Sequence, residues 1–150
     1  HIMNKSYYAA AVLSEQAETG AGHTLTDYLV KDGKENISKV AAESTPGAKR
    51  AELSYRIMRT EQAADGLWIA LVRVGLVTGR HHQIRVQLSN AGMPLLGDKK
   101  YGSSVSKDLS RKKGVRDVAL CAYRLEFSHP ATGREMCFEI EPSGGFPVNS

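Results

Sequence analysis

Two arginines, two histidines and a glutamine crowd the stretch Gly79-Arg80-His81-His82-Gln83-Ile84-Arg85. Side chains of these types are nearly all hydrogen-bond donors, and two carry fixed positive charge. Concentrated at the start of a helix, they suit an anion, either a phosphate or a carboxylate. A solvated helix cap is the plainer alternative. The stretch must be held by what flanks it. An apolar run, Leu67 to Val72, precedes it as a strand, and Ile84, Leu88 and Ala91 follow at helical spacing and would face a core. Thr78 or Gly79 can begin the turn, and Gly92 stands where a left-handed C-terminal cap belongs. The local reading is strand, tight turn, helix.

The segment Gly79-Arg80-His81-His82-Gln83-Ile84-Arg85-Val86 resembles the G-R-x-H-Q-I-R motif of the RluA-type pseudouridine synthases. Three further segments resemble that family in the same order: Lys5-Ser6-Tyr7-Tyr8-Ala9 (K-x-Y-x-A), Met93 to Gly102 (P-I-x-G-D-x-x-Y-G) and Leu120 to Pro130 (L-H-A-x-x-L-x-F-x-H-P). The resemblance runs from residue 5 to about residue 146. Cys121 stands where the family usually has histidine. The family's H-R-L-D-x-x-T-S-G segment, which carries the catalytic aspartate, has no counterpart here. His1-Ile2-Met3 resembles a cloning remnant. The chain is therefore read as residues 1–3 of remnant, 4–146 of the C-terminal portion of a synthase catalytic domain cut just after its nucleophile, and a tail at 147–150.

What the resemblance implies is specific. The reaction breaks the N1–C1′ bond of a uridine in RNA, turns the uracil and rejoins it through C5, with no cofactor and no metal. A base inside a helix is unreachable, so the uridine must flip out. An aromatic ring replaces the lost stacking, at about 1–3 kcal/mol per base. Tyr7 would be that ring, chosen over Tyr8 by the register of Lys5 and Ala9. Arg85 would hold the catalytic aspartate ionised and oriented. Arg80, His82 and Gln83 would shape the turn or touch RNA, Ile84 would pack beside the base, and Ala122 would line the uridine pocket. Asp98, between a glycine and two lysines, resembles a structural residue near the site rather than the nucleophile. Without its aspartate, Arg85 should swing to solvent, recruit an anion or pair with another carboxylate.

Composition sets the outer bounds. With 150 residues, 41% hydrophobic and 24% charged, the chain can bury one core. Its net charge of +4 permits an RNA partner without demanding one. No apolar run approaches the roughly 20 residues of a membrane span. Cys121 and Cys137 are too few for a disulfide framework and suggest reduced thiols in a cytoplasmic protein. Together with His129 they offer no close ligand pair for a metal.

Along the chain, Ser6 to Leu13 reads as a strand and Glu15 to Gly22 as a loop. Thr24 to Val30 reads as a single helical turn with Leu25, Tyr28 and Leu29 on its apolar face. Asn36 to Ala42 reads as a short strand, and Ser44 to Gly47 as a turn. In the strand Ala51 to Arg59, Leu53, Tyr55 and Ile57 alternate with polar residues. The arginines on its other face are either solvated or turned to RNA. Asp65-Gly66 marks a hairpin to the Leu67 to Val74 strand, which should be central. Ser103 to Asp117 reads as a basic loop, solvated or lying on an RNA backbone. A last hairpin joins Ala119–Phe127 to Glu135–Ile140.

The expected fold is α+β, a mainly antiparallel mixed sheet with short packed helices. The expected function is RNA uridine isomerisation, with the isolated chain inactive. Two other readings stand beside it: a non-catalytic RNA-binding module, and a structural domain that dimerises or exchanges strands through an open sheet edge.

Overall fold

The computed structural model of the protein describes residues 5–125, with side chains from Ser6 to Ala122. The expected remnant at 1–3, His129, the strand at 135–140 with Cys137, and the tail lie outside the described residues. The elements run β1 (Lys5–Leu13), β2 (Gly22–Asp32), β3 (Ile37–Ala41), β4 (Lys49–Gln62), β5 (Trp68–Leu76), α1 (Gln83–Asn90), α2 (Ser104–Lys113) and β6 (Leu120–Leu125). The strands form one sheet in the order β3-β2-β4-β5-β1-β6. Every pairing among the described residues is antiparallel, and the fold is α+β as expected.

The hairpin of β4 and β5 turns where Asp65-Gly66 predicted. Both residues take left-handed backbone (φ 62° and 75°), which glycine adopts freely and aspartate tolerates. The β5 strand is central and buried on both faces, as its unbroken apolar run required. A bulge between Ile57 and Arg59 shifts the β4 register, so Arg59 lands on the same face as Arg56.

Two expectations are corrected. Thr24 to Val30 is no helical turn but the middle of β2, paired with β4 on one side and β3 on the other. Its Leu25 and Leu29 lie four apart, which suits a helix. Yet Thr24, Thr26, Tyr28 and Val30 are strand-formers, and two-sided pairing overrides a single turn. Residues 104–113 are not a loop but helix α2. A capping box between Ser103 and Ser106 starts it, and Gly114 (φ 71°) ends it. Leu109 anchors it in the core.

The sheet has two covered faces. On one, Ala9, Ala11, Leu53, Ile57, Val72 and Val74 pack against Ile84 and Leu88 of α1. On the other, Tyr8, Ala10, Val12, Ile69 and Leu71 pack against Leu96 and against Leu109 of α2. Burying Ile84 and Leu88 contributes about 1.5–3 kcal/mol each and seats α1 on the first face. Ala91, expected to face the core, is exposed at the helix end. The outermost described strands are β3 and β6, and the dimerisation or strand exchange expected through an open edge finds no support in the structure.

Candidate active site

The turn before α1 is built by hydrogen bonds from one buried side chain. Gln83 is 3% exposed. Its Oε1 accepts from the Arg80 amide (2.8 Å) and the Thr78 hydroxyl (2.9 Å), and its Nε2 donates to Glu52 O (3.0 Å). Of the two roles expected for Gln83, the structure supports turn shaping. Thr78 is not the helix cap. Its hydroxyl also accepts from the Glu52 amide, locking the turn to β4. The cap is His82, in left-handed backbone at φ 54°. A histidine there is strained by roughly a kcal/mol or more, and its surroundings must hold it.

Those surroundings are Tyr101 and Ser38. The Ser38 amide donates to the Tyr101 hydroxyl (3.0 Å), which lies 2.7 Å from His82 Nδ1. Burial comes first in lowering the His82 pKa, followed by the charges of Arg85, His81 and Lys100, and the result is about 4. The ring is therefore neutral at physiological pH, and its Nδ1 shares a hydrogen bond with the Tyr101 hydroxyl. His81 lies against His82, ring centroids 3.8 Å apart. Its Nδ1 meets the Ser38 hydroxyl at 2.9 Å. Burial and the charges of Lys31, Lys100 and Arg85 push the His81 pKa down as well, and those three cations make this corner electropositive.

Arg85 finds another carboxylate, the third of the outcomes open to it. Its Nε donates to Asp98 Oδ2 and its Nη2 to Asp98 Oδ1, both at 2.9 Å. The guanidinium also sits 5.0 Å from the Tyr101 ring centroid. Asp98 Oδ1 accepts from the Lys100 and Tyr101 amides too. Burial alone would push the Asp98 carboxyl up. The Arg85 bonds and the Tyr101 amide overcome that and hold it below the ordinary carboxylate value. Asp98 is buried while Arg85 is not fully so, with side chains 1% and 19% exposed. Asp98 is thus the structural residue expected, saturated with donors and closed to an attacking role. Arg85 spends only one edge of its fork on Asp98. Its Nη1 makes no hydrogen bond among the described residues, which leaves the guanidinium with donors to spare on a side chain 19% exposed.

The other expected residues gather on the α1 face. Tyr7 of β1 lies directly opposite Val74 on β5 and Ala122 on β6. It packs against the cluster that holds Ile84. Tyr8 points to the other face and is buried. Tyr7, Ile84 and Ala122 therefore share one face, beside the helix that carries Arg85. Arg80 is apart from them, exposed, with its Nε on Arg50 O (2.8 Å). Cys121 is on the Tyr8 side. Two residues that hold the site went unassigned in the sequence. Tyr101 carried a signal, since it ends the same motif as Asp98. Ser38 carried none. Among the described residues, no group of three or more histidine, cysteine, aspartate or glutamate side chains is placed to hold a metal ion. No helix of the described residues is long and apolar enough to cross a membrane.

Known proteins are similar to this chain in sequence and fold. A "Ribosomal large subunit pseudouridine synthase D" of Zymomonas mobilis is 36% identical over 143 residues, 94% of this chain and 42% of the relative. An "Uncharacterized RNA pseudouridine synthase" of Aquifex aeolicus is 49% identical over 96 residues, 62% of this chain and 29% of the relative. The chain thus spans less than half the length of these relatives. The solved structure of "Human RNA Pseudouridylate Synthase Domain Containing 1" has the same fold, with a TM-score of 0.64 at 22% identity over 82% of this chain and 49% of that one. The family described as RNA pseudouridylate synthase matches residues 1–90. That span takes in Tyr7, the locked turn and Arg85, and on it the chain belongs to the RNA pseudouridylate synthase family.

Proposed function

We propose that this chain forms the uridine-facing part of an RNA pseudouridine synthase, an isomerase acting on structured RNA in the cytoplasm. The observation that carries the reading is the unspent end of the Arg85 guanidinium on the same sheet face as Tyr7, Ile84 and Ala122. A second carboxylate fits that end, held ionised by a fixed cation. Asp98, which orients Arg85 from behind, is too enclosed to be it. The attacking carboxylate is then the family's H-R-L-D aspartate, supplied from a segment outside these 150 residues.

In the reaction the carboxylate attacks the ribose or the base, or deprotonates it. The N1–C1′ bond breaks, the detached uracil turns between Tyr7 and Ile84, the C5–C1′ bond forms, and the C5 proton leaves to a base. Nothing is oxidised or reduced. Tyr7 stacks on the flipped ring in place of its lost neighbours. Ala122, small, leaves room opposite Tyr7. Arg80 and the neutral His82 stand at the positive corner, where phosphate and sugar are held. The names of the Zymomonas relative and of a Nitrosomonas europaea relative (33% identical over 138 residues, 90% of this chain and 37% of the relative) refer to the large ribosomal subunit. Ribosomal RNA is accordingly the first substrate to test.

The test compares this chain with one extended upstream through an H-R-L-D segment, on bulk ribosomal and transfer RNA. Pseudouridine formation by the longer chain alone is expected. Formation by the 150-residue chain would contradict the placing of the nucleophile, and silence from both would contradict the isomerase reading.

A further inference from the structure

A cross-strand row of side chains on the Tyr7 face runs beyond the residues that the isomerisation uses. Ala122 on β6, Tyr7 on β1, Val74 on β5, Tyr55 on β4 and His23 on β2 are successive partners across five strands. Residues directly opposed in antiparallel strands share a face. Tyr55 and His23 therefore stand on the side of the sheet that carries Tyr7. The packing agrees, since Tyr7 and Tyr55 both rest against the cluster that holds Val74 and Ile84. Val74, which separates them in the row, is fully buried, and each tyrosine is half-buried.

The far end of the row is an aromatic stack. The His23 and Tyr55 rings have centroids 4.9 Å apart and planes 24° apart. Tyr55 is anchored in the core cluster, whereas His23 is exposed. The stack is thus fixed at one end and can take a further ring at the other. β3 pairs with β2 only from Tyr28 to Asp32. At His23, β2 is therefore the outermost strand among the described residues, at the rim of the sheet. An unpaired base is the ring that fits, because stacking on aromatic side chains is how single-stranded RNA is held, whatever its sequence. Neighbouring strands lie about 4.8 Å apart, so Tyr7 and His23, three strands from each other, are roughly 14 Å apart. Stacked bases are only about 3.4 Å apart. A base on His23 is then splayed from the uridine on Tyr7, with the strand running across the sheet between them.

We propose that His23, backed by Tyr55, is a second base platform, taking an unpaired nucleotide of the same RNA strand that presents the uridine to Tyr7. The inference rests on the RNA reading above. The platform selects for a single-stranded neighbourhood around the uridine, since a base held in a helix cannot reach both rings.

The experiment measures binding of the full chain to a fluorescently labelled oligouridylate long enough to cross the sheet, and to the same ribose-phosphate strand made abasic. His23 is exposed, so replacing it leaves the core untouched. His23→Ala is expected to weaken oligouridylate binding about five- to tenfold, the low end for one base–aromatic stack, and to leave the abasic strand unchanged. His23→Phe, which keeps a ring, is expected to retain most of the parent's affinity. Oligouridylate affinity unchanged in His23→Ala would overturn the proposal. An equal loss on the abasic strand would do the same, since His23 would then hold the backbone and not a base. A His23→Phe variant as weak as His23→Ala would replace stacking by a polar contact, and a parent chain that binds no oligouridylate would leave no platform at all. Isomerisation by the upstream-extended chain is read in parallel. His23-dependent binding of bases without isomerisation sinks only the reading of the active site. Isomerisation with no His23 effect on binding sinks only this one.

Discussion

Asp98 accepts from two nitrogens of Arg85 and from two backbone amides, and it is almost wholly enclosed. Such a carboxylate fixes a guanidinium without reacting. Removing it leaves Arg85 half-buried without its counter-charge and two amides without an acceptor. Asp98→Ala should therefore cost about 3–5 kcal/mol in urea unfolding, more than a surface substitution would. His82 offers a second check at this scale. Its pKa falls from an ordinary 6.5 to about 4 in the folded chain. Between those values the unfolded chain takes up a proton that the folded chain refuses, so stability is full above pH 6.5 and falls as pH drops toward 4. A histidine NMR titration should place His82 near 4. Tyr101→Phe removes the hydrogen-bond partner of Nδ1 and should move that midpoint upward, as the ring gains water. A midpoint near 6.5 in the parent chain would contradict the closed Ser38–Tyr101–His82 chain.

At the scale of elements, α2 is held by its ends and by one leucine. The Ser103 side chain accepts from the Ser106 amide, and Ser103→Ala should cost about 1 kcal/mol by thermal or urea unfolding. Gly97, in the turn that presents Asp98, is a stricter case. Its φ is 76°, and a Cβ there would collide with Asp117 O. Gly97→Ala should lose upwards of about 3 kcal/mol, because the obstacle is backbone and cannot swing aside.

These elements also show what could be read from the chain. The β4–β5 hairpin and α1 were legible. Alternating Leu53, Tyr55 and Ile57, the Asp65-Gly66 turn and the Ile84–Leu88 spacing each carry a local signal that the packing then obeys. Helix α2 was not legible. Ser106 and Ser110 stand buried where apolar residues would have revealed a face, and Leu109 alone carries the core contact. Ser110 succeeds there because its hydroxyl donates to Ser106 O and accepts from the Gly97 amide. The β2 strand was misread because Leu25 and Leu29 fall at helical spacing, while the pairing that decides its state comes from β3 and β4. At the site, Arg85 and Tyr7 were singled out through motifs. The Arg85–Asp98 pair was foreseen only as one of three outcomes, since its partner depends on how the Gly97 turn folds back onto α1.

For the whole molecule, the proposed uridine pocket lies on one face of the sheet of six described strands, with its positive end fixed by Asp98 and its attacking carboxylate brought to the free end of Arg85. The measurement that tests this most directly is tritium release from RNA labelled at uridine C5. It uses the upstream-extended chain, alone and carrying Arg85→Lys. Lysine keeps a cation for Asp98 but loses the fork that spans two carboxylates. The account predicts release by the parent and a fall of about 10²–10³ in the variant, with the unfolding transition retained. Release at the parent's rate from a folded Arg85→Lys variant would contradict it.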